Sequence, residues 1–299
     1  FISIQHAQGI SAVGYKPTPL RTGYEHVIAH RTDDLYATTA KQPGVVKKVT
    51  KDAIVVEFED GSEKRIALGR RFGDAGGSTF PHMVITELSE GDKVKPGEAI
   101  AYNSNYFTPD PVNPKSVIWK AGVMCTTALL ESTDTFEDSS AISEKIAREM
   151  GTGMTKTRVI TVDFEQAISN MVTVGEEVTP ESILCTIEDS VTADNDLFNE
   201  DTRDTLRLLS ANTPRSRYGG KVERIEVFYN GDKDDMSSSL RDIADQFDRE
   251  LARQRRALGQ PVVTGEVGDG MRFDGNQLDV DQMAIRIYIT KEEPAGIGD

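Results

Sequence analysis

Apolar positions recur at two periods along this chain, and the period changes from segment to segment. From about 238 to 258, Leu240, Ile243, Phe247, Leu251 and Leu258 follow helical spacing, and Gly259 with Pro261 ends the run. Ile142, Ile146 and Met150 repeat that spacing over a shorter stretch that stops at Gly151. Elsewhere the pattern is that of strands. Ala53 to Glu59 alternates, meets a turn at Asp60-Gly61 and resumes at Lys64-Arg65-Ile66, and Met283 to Thr290 is rich in β-branched residues. A short helix is expected at Thr202 to Leu209, between Asp/Asn residues and Pro214.

Two segments repeat one grammar. Gly91-Asp92-Lys93-Val94-Lys95-Pro96-Gly97 and Gly175-Glu176-Glu177-Val178-Thr179-Pro180-Glu181 each read as a turn, a strand contact at valine and a second turn before an apolar strand. Each has a companion Gly-x-Val strand: Pro43-Gly44-Val45-Val46 precedes the first, and Gly219-Gly220-Lys221-Val222 follows the second. This resembles the barrel-sandwich hybrid, the small β-barrel of biotinyl and lipoyl carriers. The implied fold class is mixed and mainly β, with barrel-sandwich-hybrid-like β-barrels, a few helices and a flap insertion. A carrier would present a modifiable lysine beside methionine between its halves. Here an insertion of acids, arginines and leucines, about 188–218, takes that place, which argues against the carrier activity.

Composition narrows the function classes. With 299 residues, 37% hydrophobic and 28% charged, the chain suits a soluble globular protein of one or two domains, with no membrane span in its hydropathy. A net charge of −15 opposes a free-standing nucleic-acid binder, so nucleic-acid contact is expected to be local or shared with partner chains. Cys125 and Cys185 are too few for a disulfide framework or a zinc site. Phe1 is not a natural start residue, and an upstream segment is expected.

Four places carry candidate chemistry. Glu137 and Asp138 stand just before the 142–150 helical stripe. Adjacent acids there read either as plain first-turn or capping residues, or as ionised ligands of a divalent metal and its water shell. Arg70 and Arg71 lead into a Gly-rich stretch ending at Thr79; this is either an exposed surface loop or a weak phosphate and nucleic-acid contact, with no Gly-Lys-Ser/Thr to make a nucleotide loop. Leu206, Leu208 and Leu209 give the insertion helix an apolar tip, which either folds back on its parent domain or meets a partner. His26 and His30 lie four apart without a third ligand, so no metal is assigned to them.

Taken together, Arg21-Thr22-Gly23-Tyr24-Glu25, Gly44-Val45-Val46, Gly91-Asp92-x-Val94-x-x-Gly97 and Phe136-Glu137-Asp138-Ser139-x-x-x-Ser143-Glu144 resemble, in order and spacing, the second-largest (β) subunit of multisubunit DNA-directed RNA polymerases. The resemblance implies residues 1–151 as an active-centre and hybrid-binding region. It implies 152–299 as a flap-like domain, with its tip at about 188–218 and a helix at about 238–258. Glu137 and Asp138 would act near the second, nucleotide-borne Mg²⁺ through water, while a partner subunit holds the primary catalytic ion. Leu206, Leu208 and Leu209 would form the flap tip that docks an initiation factor. Implied partners are β′-like and further β-like chains, DNA template, RNA product and NTP, and no membrane. Two features depart from cellular β subunits: Glu131-Ser132-Thr133-Asp134 replaces the aromatic-rich approach to the acids, and the chain stops at 299 before the lysine- and glycine-rich loop. Both suggest a split subunit or fragment like those of giant bacteriophages, working in the host cytoplasm or carried in the virion. The competing expectation is a non-catalytic β-barrel module that docks transcription factors or other proteins.

Overall fold

The computed structural model describes residues 11–75, 78–129, 140–189 and 211–297. With 40% strand and 15% helix, the fold is mixed and mainly β. Its sheets are open among the described residues; none closes into a barrel. No described helix is long and apolar enough to cross a membrane. The chain divides into two compact units, Phe1–Met154 with Glu292–Asp299, and Thr155–Lys291.

In the first unit, helix α1 (Tyr24–Arg31) leads to β1 (Ala37–Thr39), and a meander follows through β2 (Gly44–Val49), β3 (Ala53–Phe58) and β4 (Glu63–Ala67). Strands β5 (Gly69–Ala75) and β6 (Ser78–Ile85) form a hairpin, and β7 (Lys93–Val94) and β8 (Ala99–Asn103) come next. One sheet has the order β4-β3-β2-β7, and β1, β8, β6 and β5 are neighbours in another. The all-apolar Ala53-Ile54-Val55-Val56 start of β3 is buried on both faces, so strict alternation gives way to a continuous run there. Val46, Ile54, Val56, Ile66, Val84, Val94 and Ile100 form one core. A smaller one gathers Ala29, Ala37, Tyr102, Phe107 and Val117, the last two from the paired strands β9 (Phe107–Pro109) and β10 (Val117–Trp119). Helix α2 (Glu144–Glu149) buries none of its residues.

The second unit is built on the neighbours β11 (Thr152–Asp163), β18 (Gln282–Glu293), β15 (Gly220–Asn230) and β13 (Glu177–Val178). Two small two-stranded sheets join it, β12 (Ala167–Ser169) with β14 (Thr186–Glu188), and the hairpin β16 (Arg272–Phe273) with β17 (Asn276–Gln277). Helix α3 (Ser238–Ala257) matches the helical stripe. Ser237 caps its start by accepting from the Leu240 amide. Its end is a Schellman motif: Gly259 at φ 66°, Gly259 N–H to Arg256 O at 3.1 Å and Gln260 N–H to Arg255 O at 2.9 Å. Leu240 and Ala244 pack at full burial against Ile160, Val162, Leu184, Val227, Ile285 and Ile287. Burying a side chain such as Leu240 contributes roughly 2–3 kcal/mol.

The repeated grammar is one hydrogen-bonded module built twice. Gly44 stands opposite Val94 in the first copy, and Gly220 opposite Val178 in the second. Gly91 N–H donates to Val46 O at 2.9 Å, and Gly175 N–H to Val222 O at 2.7 Å; Val46 N–H returns to Asp92 O, and Val222 N–H to Glu176 O, both at 2.8 Å. The same register break follows the valine in each, skipping Lys47 in β2 and Glu223 in β15.

Candidate functional site

Glu137 and Asp138 lie outside the described residues, but the chain on either side of them is described. Upstream, Lys120 N–H donates to Tyr106 O at 2.8 Å. Downstream, Ser143 caps α2 by accepting from the Ile146 amide, and Glu144 is the acid of the first turn. Helix α2 itself begins at Glu144.

A single strap, Ser11 to Lys16, holds both flanks. Lys16 N–H donates to Gly122 O at 2.8 Å, and Ala121 N–H to Lys16 O at 2.9 Å. On the other side, Gly14 N–H donates to Glu149 O at 2.7 Å, Val13 N–H to Gly151 O at 2.9 Å, and the Thr152 hydroxyl to Ser11 O at 2.8 Å. Gly14 is required by this closeness, since a Cβ there would sit 2.5 Å from the Glu149 Cβ.

The Arg21–Glu25 motif opens α1. Gly23 takes φ 88° at the N-cap, a conformation that favours glycine. Arg21 donates to Asp110 Oδ1 at 2.7 Å, the Val112 amide to the same oxygen at 2.9 Å, and His26 Nε2 lies 3.5 Å from Oδ2. The Val112 amide and then the Arg21 guanidinium hold the Asp110 carboxyl below its usual range. His26 and His30 do share a helix, but His30 Nδ1 bonds Thr39 Oγ1 at 2.8 Å, so their partners diverge.

Arg70 and Arg71 are in a strand, which corrects the expectation of a Gly-rich surface loop there. Gly69 to Ala75 pairs with Ser78 to Val84 residue by residue, with Arg70 opposite Met83 and Arg71 opposite His82. The amides of this stretch belong to a ladder, and the two side chains leave on opposite faces. Residues 76 and 77 lie outside the described residues.

Beneath that hairpin is a buried polar cluster that sequence periodicity could not reveal. His82 is 3% exposed, stacked on Tyr106 and met edge-on by Tyr36. Asn103 Oδ1 accepts the Asn105 amide at 3.0 Å, which fixes its Nδ2 as donor to Leu35 O at 3.2 Å and to His82 Nδ1 at 2.8 Å. His82 is thereby neutral, with its proton on Nε2. Burial, and after it the nearby Arg71, lowers its pKa.

Leu206, Leu208 and Leu209 also lie outside the described residues. The roots of their insertion are closed, since Ile187 N–H donates to Asn212 O at 2.8 Å and Asn212 N–H to Ile187 O at 2.9 Å. Among the described residues no three His, Cys, Asp or Glu side chains converge as metal ligands, so no Mg²⁺ geometry follows from them. Cys125 and Cys185 are both free; burial pushes the Cys185 thiol up to about 11.

No family model matches this chain, and no curated protein matches it either.

Proposed function

We propose that this chain is a supporting subunit of a DNA-directed RNA polymerase, similar to the β subunit. It adds NTPs to the RNA 3′ end only with partner chains that hold the catalytic metal. The observation that supports this most is the conjunction of motifs. Gly44–Val46 and Gly91–Gly97, which carry the resemblance from separate stretches of sequence, are the two halves of one ladder. The strap at Ser11–Lys16 joins the flanks of the segment that carries the acid pair.

In this role Glu137 and Asp138 would tune the water shell of the nucleotide-borne Mg²⁺, whose positive charge offsets charge developing on the transferring phosphate. Leu206, Leu208 and Leu209 would contact the initiation factor, and Arg70 and Arg71 would contribute local contacts to the nucleic acid.

Tagged chain isolated from its native source tests the assignment, with intact-complex mass spectrometry naming the partners. The reading requires further large subunits, one of them carrying an Asp-rich metal loop; a stable monomer sinks it in favour of a docking module. In the assembled enzyme, Glu137→Ala with Asp138→Ala is expected to slow NTP addition at limiting NTP while assembly persists. Unchanged elongation counts against the acids' role.

A further inference from the structure

One buried polar contact in the first unit has no arrangement that accommodates an added proton. Asn103 Oδ1 accepts the Asn105 amide at 3.0 Å, while Nδ2 donates to Leu35 O at 3.2 Å and to His82 Nδ1 at 2.8 Å. A proton on Nδ1 would set an N–H against the Asn103 amide hydrogens at that distance. Turning the Asn103 amide over does not help. Its NH2 would then face the Asn105 N–H, and its oxygen the Leu35 carbonyl. Whichever way the amide points, protonated His82 leaves at least one buried donor without an acceptor.

The ring is held on three sides. It stacks on Tyr106 with centroids 5.8 Å apart, meets Tyr36 edge-on at 5.7 Å, and its Nε2 lies 2.8 Å from where a Cβ on Gly73 would be. Nearby charge is adverse as well. Among the described residues, Arg71, opposite His82 in the β5–β6 ladder, and Arg70 disfavour an imidazolium, and Asp33 favours it. Burial raises the pKa of both Tyr36 and Tyr106, so neither phenol supplies a negative charge. The Lys120 ammonium, also positive, sits on the Ser104 carbonyl at 2.5 Å.

The turn that begins at Asn103 holds more than itself. Asn103 N–H donates to Tyr36 O at 2.6 Å and Ser104 N–H to Met83 O at 2.9 Å, while the Asn105 side chain donates to Pro81 O at 2.9 Å. Lys120 is tied to the turn twice, by its amide to Tyr106 O at 2.8 Å and by its ammonium to Ser104 O. Lys120 precedes Ala121 and Gly122, the residues that meet the Ser11–Lys16 strap. We propose that His82 and Asn103 form an acid-released latch: a proton added to His82 frees the 103–106 turn, and Lys120 with it, while the core of the first unit stays folded. This device is independent of the polymerase assignment and is the kind of local charge change that biases a two-state element.

Amide-resolved hydrogen exchange by NMR on the full-length chain tests this, at pH 7 and pH 5 with rates corrected for intrinsic exchange. The open turn takes up its proton at the ordinary 6.5 and the closed turn only below it, so opening grows as pH falls through 6.5. Protection at Ser104, Asn105, Tyr106 and Lys120 should drop about tenfold between the two pH values; one proton allows at most about thirtyfold. Exchange at these amides should also ignore low urea, as local opening does, whereas Val46 and Gly91 in the core module stay slower and respond to urea. His82→Asn keeps an acceptor for Asn103 Nδ2 and has nothing to titrate, so its turn should exchange within about twofold at both pH values. Asn103→Asp offers a carboxylate to protonated His82 and should reverse the sign, with more protection at pH 5 than at pH 7. Where Asn103→Asp does not fold, the His82→Asn comparison decides. An unchanged turn in the wild type, an equal acid loss in His82→Asn, or one shared rate and urea dependence for turn and core would each overturn the proposal.

Discussion

Replacing Asp248 is the sharpest test of what holds α3 in place. This carboxylate is 9% exposed, on the helix face between Ala244 and Leu251. Its Oδ1 accepts the Gly265 amide at 2.7 Å and its Oδ2 the Tyr229 hydroxyl at 2.8 Å. The same Oδ2 pairs with the Lys233 ammonium, which lies over the Tyr229 ring and also holds Asp245 at 2.8 Å. Burial disfavours the Lys233 charge, yet hydrogen bonds to Asp245 and Asp248 outweigh it and raise the pKa.

Asp248→Ala leaves the Gly265 amide without its acceptor and the Tyr229 hydroxyl with the Thr264 side chain alone, each change costing about 1–3 kcal/mol, while Lys233 keeps Asp245. The expected loss is about 3–5 kcal/mol, as for one partner removed from a buried pair. Asp248→Asn retains an acceptor for Gly265 and should cost about 2–3 kcal/mol; Tyr229→Phe should cost about 1 kcal/mol. Urea unfolding at constant m-value measures all three, and a cycle combining Asp248→Asn with Tyr229→Phe gives their coupling. Because the Lys233 pKa is raised on folding, its contribution is complete below its ordinary value of 10.5 and fades as pH climbs through the folded one. The wild type should therefore lose stability above that pH more steeply than Asp248→Asn. A loss below about 1 kcal/mol for Asp248→Ala, or strictly additive Asn and Phe variants, would refute the network.

Three other outcomes are expected. Gly91 and Gly175 adopt φ 91° and 101° with open space where a Cβ would sit, so Gly91→Ala and Gly175→Ala should each cost about 1–2 kcal/mol from backbone strain alone; urea unfolding showing one several times the other would break the equivalence of the modules. The His82 pKa is depressed, so the unfolded chain takes up protons first; stability is complete above the ordinary 6.5 and falls as pH drops below it. His82→Asn should flatten that fall, and a ring titration by NMR at or above 6.5 would contradict it. Replacing Leu206 and Leu209 with Asp should abolish promoter-dependent initiation and spare elongation in transcription assays, whereas equal loss of both would point to misfolding.

Local rules made much of this fold legible. The α3 stripe and its Gly-Pro stop gave the helix to within a residue, because a Schellman end and an amphipathic face are both written in nearby residues. The paired modules were legible for the same reason, each needing a glycine at a left-handed turn and valines facing inward. Arg70 and Arg71 misled because Gly73, Gly76 and Gly77 suggest a loop, while pairing of β5 with β6 is a tertiary matter that composition does not encode. Asp248 and His82 were hidden for a related reason. Asp248 occupies a place on a helical stripe where an apolar residue is expected, and its partners Tyr229 and Gly265 come from a strand and a distant loop. His82 depends on Asn103, whose amide orientation is set by Leu35 and Asn105.

The twice-built module also says which interactions define it. In the first copy the Gly-x-Val strand precedes its turn partner in the chain, and in the second it follows. Connectivity is therefore not what fixes the register; the ladder and the turn must do so themselves. Both copies close the turn with a side-chain acceptor on a backbone amide, Asp92 to Ser89 N–H at 2.7 Å and Glu176 to Thr173 N–H at 3.0 Å. They diverge at the second turn. Gly97, at φ 90° after Pro96, makes a type II turn, while Glu181 follows Pro180 without positive φ. The shared part is thus the acid-closed turn and the valine contact, and the part free to vary lies at the far turn. That division explains why Gly-Asp-x-Val and Gly-Glu-x-Val are both admissible spellings: either acid can reach back to the amide that opens its turn, and neither changes the face on which valine is buried.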